Sequence, residues 1–232
     1  MKFNILLLCL LFFNWTSAQL MNKHLKSTYP SQYYFETTRA EVFRNLNPNT
    51  DFLPQPLGER ANEIPLTLWS QQVGLRLGLS KHSFLDAGIS FLQNGEAYSW
   101  GSTVTDSSFA YQTRYRYLAL PVQYKFAFGQ KVNFQFGGGL IPGIQQSFRQ
   151  DLQWSNALGA KSDDQIKVNN ELNGFVFSWV ASAGVSIPLN PKLRFGLGAQ
   201  IRQQLNNTYN PYQSYIHKSQ AWGITMGLYK NM

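Results

Sequence analysis

Arg114-Tyr-Arg-Tyr-Leu-Ala-Leu-Pro-Val-Gln-Tyr-Lys-Phe-Ala-Phe128 decides the fold. Leu118, Leu120, Val122, Tyr124, Phe126 and Phe128 share one parity, while Ala119, Gln123 and Lys125 share the other. Successive side chains of a β-strand point to opposite sides, so this is the pattern of a wall with lipid on one side and a polar lumen on the other. The same alternation recurs over residues 66–79, 84–98, 132–145, 173–187, 192–205 and 218–229, which with 113–128 makes seven strands. Their connections alternate in length. Residues 80–83, 129–131 and 188–191 are tight turns, whereas 99–112, 147–172 and 206–217 are long and polar. Outer-membrane barrels have short turns on the periplasmic rim and long loops outside.

That order requires an ascending strand before residue 66. The candidate is Gln32-Tyr-Tyr-Phe-Glu-Thr-Thr-Arg-Ala-Glu-Val-Phe43, with Arg39 and Glu41 expected in the lumen and Glu36 near an interface. Residues 46–63, rich in Pro and Asn, would form the first outer loop. Counting this strand gives eight, and single-chain bacterial barrels have an even number. The expected fold is all-β, an up-and-down antiparallel transmembrane β-barrel whose strands are best defined over residues 64–229.

The chain opens Met1-Lys-Phe-Asn-Ile-Leu-Leu-Leu-Cys-Leu-Leu-Phe-Phe-Asn-Trp-Thr-Ser-Ala18. One positive charge, a short apolar run and a small-residue site read as a signal peptide over residues 1–18, with the barrel domain at 19–232 starting from Gln19. Cys9 is the single cysteine and falls inside that signal, so the mature domain is expected to carry neither thiol nor disulfide. Charged residues are 14% of the chain and aromatics 15%, which suits a barrel with one face in lipid. Loss of Lys2 leaves 19 basic against 12 acidic residues, a net charge of +7. Behind a signal peptide, the expected counterpart of that excess is anionic lipid or lipopolysaccharide phosphate and not nucleic acid. The lumen face is mainly Gly, Ser, Asn, Gln and Ala, as at Asn133, Gln135, Gly137, Gly139, Ser178, Ser182, Gly184 and Ser186. A soluble sandwich would carry Lys and Glu there. Aromatic girdles are expected at Phe84, Phe126, Phe128, Phe134 and Tyr229 below, and at Tyr98, Trp100, Tyr111, Tyr115 and Tyr117 above.

Tyr117-Leu-Ala-Leu-Pro-Val-Gln-Tyr-Lys125 resembles the "YLxIPLLxKY" strand of the PorT-like outer-membrane β-barrel proteins of Bacteroidetes. The segment 132–145, with Gly137-Gly-Gly, is similar to the strand that follows in that family, and Ala183-Gly-Val-Ser-Ile-Pro-Leu-Asn-Pro-Lys-Leu-Arg-Phe-Gly-Leu-Gly-Ala199 to its strand-turn-strand unit. The resemblance spans about residues 64 to 229 and implies an eight-stranded barrel in the cell outer membrane. The chain departs from the common ending, because Tyr229 is followed by Lys-Asn-Met232. The founding member of the family is tied to type IX secretion, and for this chain that link is one of analogy only.

Chemistry-bearing residues are sparse. His24, His82 and His217 lie far apart and read as solvated turn residues. No cofactor or metal motif is present: Asp151, Asp163 and Asp164 sit in a long polar loop without calcium-loop spacing, and Asn206-Asn-Thr208 reads as turn chemistry. On the lumen parity lie Arg76, Asp86, Glu96, Lys125, Arg194, Gln200 and Arg202. Hairpin closure places Arg76 opposite Asp86 or Gly88 with Lys125 at similar depth, so an Arg76, Asp86 and Lys125 cluster would compensate buried charge. Arg114, Arg116 and Lys218 stand above apolar residues on the lipid parity, placed to meet lipopolysaccharide phosphates. These readings favour a non-catalytic barrel with a structural or interaction role, possible partners being outer-membrane lipid and another envelope protein met through the outer loops. The alternatives are a small-solute channel and a surface lipid-modifying enzyme.

Overall fold

Period-two patterning becomes eight long strands in the computed structural model. They are β1 (Gln32–Asn47), β2 (Leu66–Gly78), β3 (Ser83–Gly101), β4 (Ser108–Ala119, resuming as Val122–Phe128), β5 (Asn133–Ser155), β6 (Phe175–Asn190), β7 (Leu193–Gln204) and β8 (Ile216–Asn231). The structure describes residues 29, 31–47, 52–53, 58–59, 62–129, 131–210 and 216–232. The expected signal peptide 1–18, the start at Gln19, His24 and most of the 46–63 loop lie outside the described residues.

Each strand pairs antiparallel with its neighbours in chain order, and β1 pairs with β8 from Gln32↔Asn231 to Asn47↔Ile216. The sheet therefore closes on itself. Closure matters because a hydrocarbon environment offers no partner to an unpaired N–H or C=O at a strand edge. Pro121 cannot donate to the ladder, yet β4 runs through it, with the Gly88 N–H donating to Pro121 O at 3.2 Å and the Leu120 N–H to Pro142 O at 2.8 Å. The short turns share a rim with both ends of the ring, where the Met232 N–H donates to Ser31 O at 3.0 Å. On that rim Gly129 takes a φ of +112°, a conformation that favours glycine.

Beyond the opposite rim the ladder continues into water. Residues 108–116 of β4 pair with 147–155 of β5, and a short strand Lys161–Ile166 adds to the far side of β5. The expected loops 99–112 and 147–172 are thus largely paired sheet. Apolar alternation fades once no face touches lipid, but backbone pairing needs no apolar face.

Two expectations about direction are corrected. In β1, Tyr34, Glu36, Thr38, Ala40, Val42 and Arg44 are buried in the lumen, whereas Arg39 is exposed and Glu41 shares its outward parity. Each face of that strand holds one Arg and one Glu, so charge parity alone was ambiguous. Of the expected girdles, Trp100, Phe126, Phe128 and Phe134 are exposed, but Tyr98, Tyr111, Tyr115, Tyr117 and Tyr229 are buried in the lumen. Phe84 also turns inward, beneath the Arg76 guanidinium at 5.7 Å. Interior tyrosines can satisfy their hydroxyls on buried charges, which lipid cannot do.

Missing side chains make room for these rings. Gly74 and Gly88 are cross-strand partners on β2 and β3. A Cβ on Gly74 would lie 2.2 Å from the Ala87 carbonyl oxygen and 2.8 Å from the Tyr34 hydroxyl, and one on Gly88 2.3 Å from the Val73 oxygen and again 2.8 Å from Tyr34. Gly74→Val should therefore cost at least about 1–3 kcal/mol as an overpacked site. Gly101→Ala, whose Cβ would meet nothing within 4 Å, should refold as the parent does. Refolding yield, read from migration on unboiled gels, checks both.

Candidate functional site in the barrel lumen

Charge compensation shapes the periplasmic half of the lumen. β2 and β3 set Arg76 directly opposite Asp86, and the guanidinium grips the carboxylate bidentately, Nε to Oδ1 at 2.7 Å and Nη2 to Oδ2 at 2.8 Å. From β4, Lys125 Nζ reaches Asp86 Oδ2 at 3.1 Å and Glu36 Oε1 of β1 at 2.9 Å. Tyr229 of β8 donates to the same Glu36 oxygen at 2.7 Å, and its ring lies 4.3 Å from the Arg76 Cζ. Arg76 Nη1 donates to Gln135 Oε1 at 3.2 Å, and Gln135 Nε2 in turn to Ser186 Oγ at 2.8 Å. Two cations and two carboxylates from four strands thus neutralise one another. Arg76, Asp86 and Lys125 meet as the sequence suggested, while Glu36 and Tyr229 are partners that reading missed. Their signal is nonlocal, since closure of β1 on β8 brings residue 36 beside residue 229.

A cavity of about 40 Å³ opens beside this network, lined in part by Glu36, Lys125, Gln135, Gln200, Thr225 and Tyr229. That is room for about one or two water molecules. Above it apolar side chains share the interior with buried polar ones: Leu92, Tyr117, Ile141, Val176 and Val180 form one cluster and Val42, Leu66 and Leu68 another, with Thr38, Gln123 and Ser178 buried as well. Arg202 crosses this level and donates through Nη2 to Gln93 O at 3.0 Å and Asn94 Oδ1 at 2.7 Å. Arg194, nearer the periplasmic mouth, donates through Nη2 to Ser186 O at 2.9 Å.

The outer end holds a second network, which corrects the reading of His217 as a solvated turn residue. His217 is 1% exposed, and its Nε2 lies 2.6 Å from Glu96 Oε2. Tyr115 donates to Glu96 Oε1 at 3.3 Å and shares a 3.2 Å contact with the Tyr209 hydroxyl. Arg44 joins Glu63 at 2.7 Å and donates to Tyr111 at 2.6 Å, with Tyr98 stacked on that ring. Two outer connections fold over this level: Leu172 bridges Tyr209, and both side chains are buried. His217 lies far from Glu96 in sequence and on a strand not adjacent to it, so spacing gave no hint of the pair.

The remaining candidates lie apart. His82 is exposed in a periplasmic turn, its Nδ1 3.0 Å from Ala127 O. Asp163 and Asp164 are exposed on the short outer strand, and among the described residues no group of three metal-ligating side chains converges. Asp151 pairs with Arg149 at 2.9 Å in the outer sheet, and hydrogen bonds from Arg149 and Gln165 hold its carboxyl below the usual range. Arg114 and Arg116 on β4 and Lys218 on β8 all face outward near the outer rim. Arg114 and Arg116 share one strand face, but Lys218 is not brought to them, because β4 and β8 stand on opposite sides of an eight-strand ring.

Removal of one charge from the lower network should be costly. Asp86→Ala leaves Arg76 and Lys125 with only Glu36, and should lose about 3–5 kcal/mol in equilibrium unfolding from lipid vesicles. Asp151→Ala, whose ion pair is solvent-exposed, should lose no more than about 1 kcal/mol in the same assay.

Among solved structures, Neisserial surface protein A is 10% identical with a TM-score of 0.42, over 87% of this chain and 97% of that one. OprG from Pseudomonas aeruginosa is 9% identical with a TM-score of 0.41, over 87% of this chain and 96% of that one. The outer membrane protease OmpT from Escherichia coli is 7% identical with a TM-score of 0.42, over 91% and 99%. No curated protein sequence matches the chain. Residues 68–210 match the family described as outer membrane protein beta-barrel domain, and with a closed ring of outward apolar side chains the chain belongs to that family of the outer membrane.

Proposed function

We propose that this protein is a non-catalytic outer-membrane barrel whose task is to hold an interaction surface at the cell exterior. The observation that carries the reading is the contrast between a filled lumen and the sheet raised above it. Side chains from all around the ring occupy the interior at successive levels, and Leu172 and Tyr209 lie buried at the outer end. An eight-strand barrel has an interior that side chains just fill, so a solute path would need these networks to part. Outside, the β4 and β5 extension and the strand Lys161–Ile166 form a sheet with apolar tips, Val104 at 89% and Leu158 at 91% exposure. Trp154 on this extension and Trp100 at the end of β3 beside it are also exposed, and aromatic residues are favoured contact groups. The finer relationship to the PorT-like barrels of Bacteroidetes rests on the strand phrases around Tyr117 and Gly137. A role beside type IX secretion follows from that resemblance by analogy alone.

Lipopolysaccharide is the proposed lipid partner. Arg114 and Arg116 lie beside Arg149, which pairs in register with Arg114, so one side of the outer rim is basic. Lys218 gives a separate cation on the other side, next to Asn45. Arginine forks suit phosphate oxygens.

In planar bilayers the folded barrel should show no stable conductance steps. Regular single-channel steps would overturn the interaction reading in favour of a solute channel. Replacing Arg114, Arg116 and Lys218 together by Gln should lower the lipopolysaccharide that co-purifies with the barrel. Equal amounts by mass analysis would remove the phosphate contact and leave the fold untouched.

A further inference from the structure

One stretch of the barrel wall is lapped where the rest is laddered. The register between β2 and β3 runs from Gly78↔Phe84 to Gln71↔Phe91 and stops. It resumes one residue out of step at Ile64↔Ala97 and Glu63↔Tyr98, so residues 65–70 and 92–96 are not register partners. Side chains take over in the gap. The Gln93 N–H donates to Ser70 Oγ at 3.1 Å, and the Gln93 carbonyl accepts from Arg202 Nη2 at 3.0 Å. Arg202 stands on β7, four strands from β3 in a ring of eight, so it reaches across the lumen to this carbonyl. Gly95 and Ala97 share the outward parity of Phe91, yet both are buried, and Ala97 clusters with the inward Leu66 and Leu68 of β2. A Cβ on Gly95 would meet Leu66 Cδ2 at 2.8 Å and Leu68 Cδ1 at 3.1 Å. The upper part of β3 therefore laps inside β2, with glycine and alanine seated on leucines.

We propose that this seam is a lateral gate in the wall, through which one acyl chain of a phosphate-bearing lipid slips from the membrane into the lumen. Parting a regular ladder would strand a row of N–H and C=O groups in hydrocarbon. Here the two strands are already out of register, and the gap is spanned by the Ser70 and Arg202 clasps and by the contact of Gly95 and Ala97 with two leucines. Breaks of this kind in a β-ladder gather beside functional sites. Behind the seam lies the cluster of Leu92, Tyr117 and Ile141, side chains among which a hydrocarbon chain is compatible. The outer lips are apolar as well, with Trp69 47% and Phe91 64% exposed. Charge selects the lipid. Arg116 is in register with Gln93 and Arg114 with Gly95, so both stand on the strand that borders the seam, and both point outward. Arginine forks grip phosphate oxygens, and a headgroup held there leaves its chains beside the lips. The choice of lipid rests on the lipopolysaccharide contact proposed above, whereas the gate rests on the seam alone.

The probe is a phosphatidic acid with a diazirine in one acyl chain, mixed into phosphatidylcholine vesicles that hold the refolded barrel. After illumination, mass spectrometry maps the crosslinked residues, and unboiled gels verify folding of every variant. In the parent, the inward Leu68 and Leu92 should be labelled along with the outward Trp69 and Phe91, while Tyr34 and Tyr229 at the periplasmic level should not. Ser70→Ala removes one clasp and should raise the inward share of labelling about two- to tenfold, the population change for one lost hydrogen bond. Arg202→Gln, which removes a charged donor, should raise it at least as far. Labelling confined to outward residues in the folded parent and in both variants overturns the gate. Equal labelling of Tyr34 and Tyr229 overturns it too, because that marks opening of the whole barrel. Arg114→Gln/Arg116→Gln should cut the labelling of Leu68 and Leu92. If inward labelling ignores that change, the gate stands and the lipopolysaccharide contact falls. If outward labelling drops with it and inward labelling is found in no variant, the contact stands and the gate falls.

Discussion

Ring closure between the two ends of the barrel domain is the constraint on which everything else depends. β1 and β8 meet over sixteen register pairs although nearly the whole domain separates them in sequence. Until that ladder forms, two strands face lipid with unsatisfied backbone groups, and hydrocarbon offers no substitute partner. Closure fixes the strand number and so the width of the interior. It also decides which residues from distant segments face each other. Glu36 reaches Lys125 and Tyr229, and His217 reaches Glu96, only because the ring is complete.

The interior is organised in levels that differ in how charge is handled. Near the periplasm, Arg76, Lys125, Asp86 and Glu36 balance two against two. A buried ion pair often does little better than apolar packing, but losing one member leaves a bare charge, so each group is held in place by the others. In the middle, apolar clusters share the space with buried polar groups, Arg202 on Asn94 among them. Toward the outside, tyrosines, Glu96, Arg44 and His217 form the upper network beneath Leu172 and Tyr209. Glycines at the wall, such as Gly74 and Gly88 against Tyr34, set how closely the rings can lie.

Outside the ring, two surfaces depart from what the bilayer alone would demand. The β4 and β5 extension carries the ladder well past the lipid, with exposed apolar tips that solvent does not favour. The outward face of β1 sets Thr37, Arg39 and Glu41 where its neighbours carry Met226, Ile224 and Trp222. Both departures lie on the exterior of a barrel whose interior is largely occupied by side chains.

The amino-acid sequence by itself determined the fold class, the strand order and the alternation of short turns with long connections. It did so because period-two patterning is local and lipid enforces it on one face of nearly every strand. Parity and a tight turn were enough to set Arg76 against Asp86 or Gly88, since all lie in one hairpin, and the register chose Asp86. The facing of β1 was not legible, because Arg39 and Glu41 on one side mirror Glu36 and Arg44 on the other. Tyrosines were misread as girdle residues, for a ring with a hydroxyl suits an interface and a polar lumen equally well. The Glu36, Tyr229 and His217 partnerships, and the paired sheet above the rim, were decided only by tertiary structure: they depend on which strands close the ring, a pairing between distant segments that no local pattern encodes.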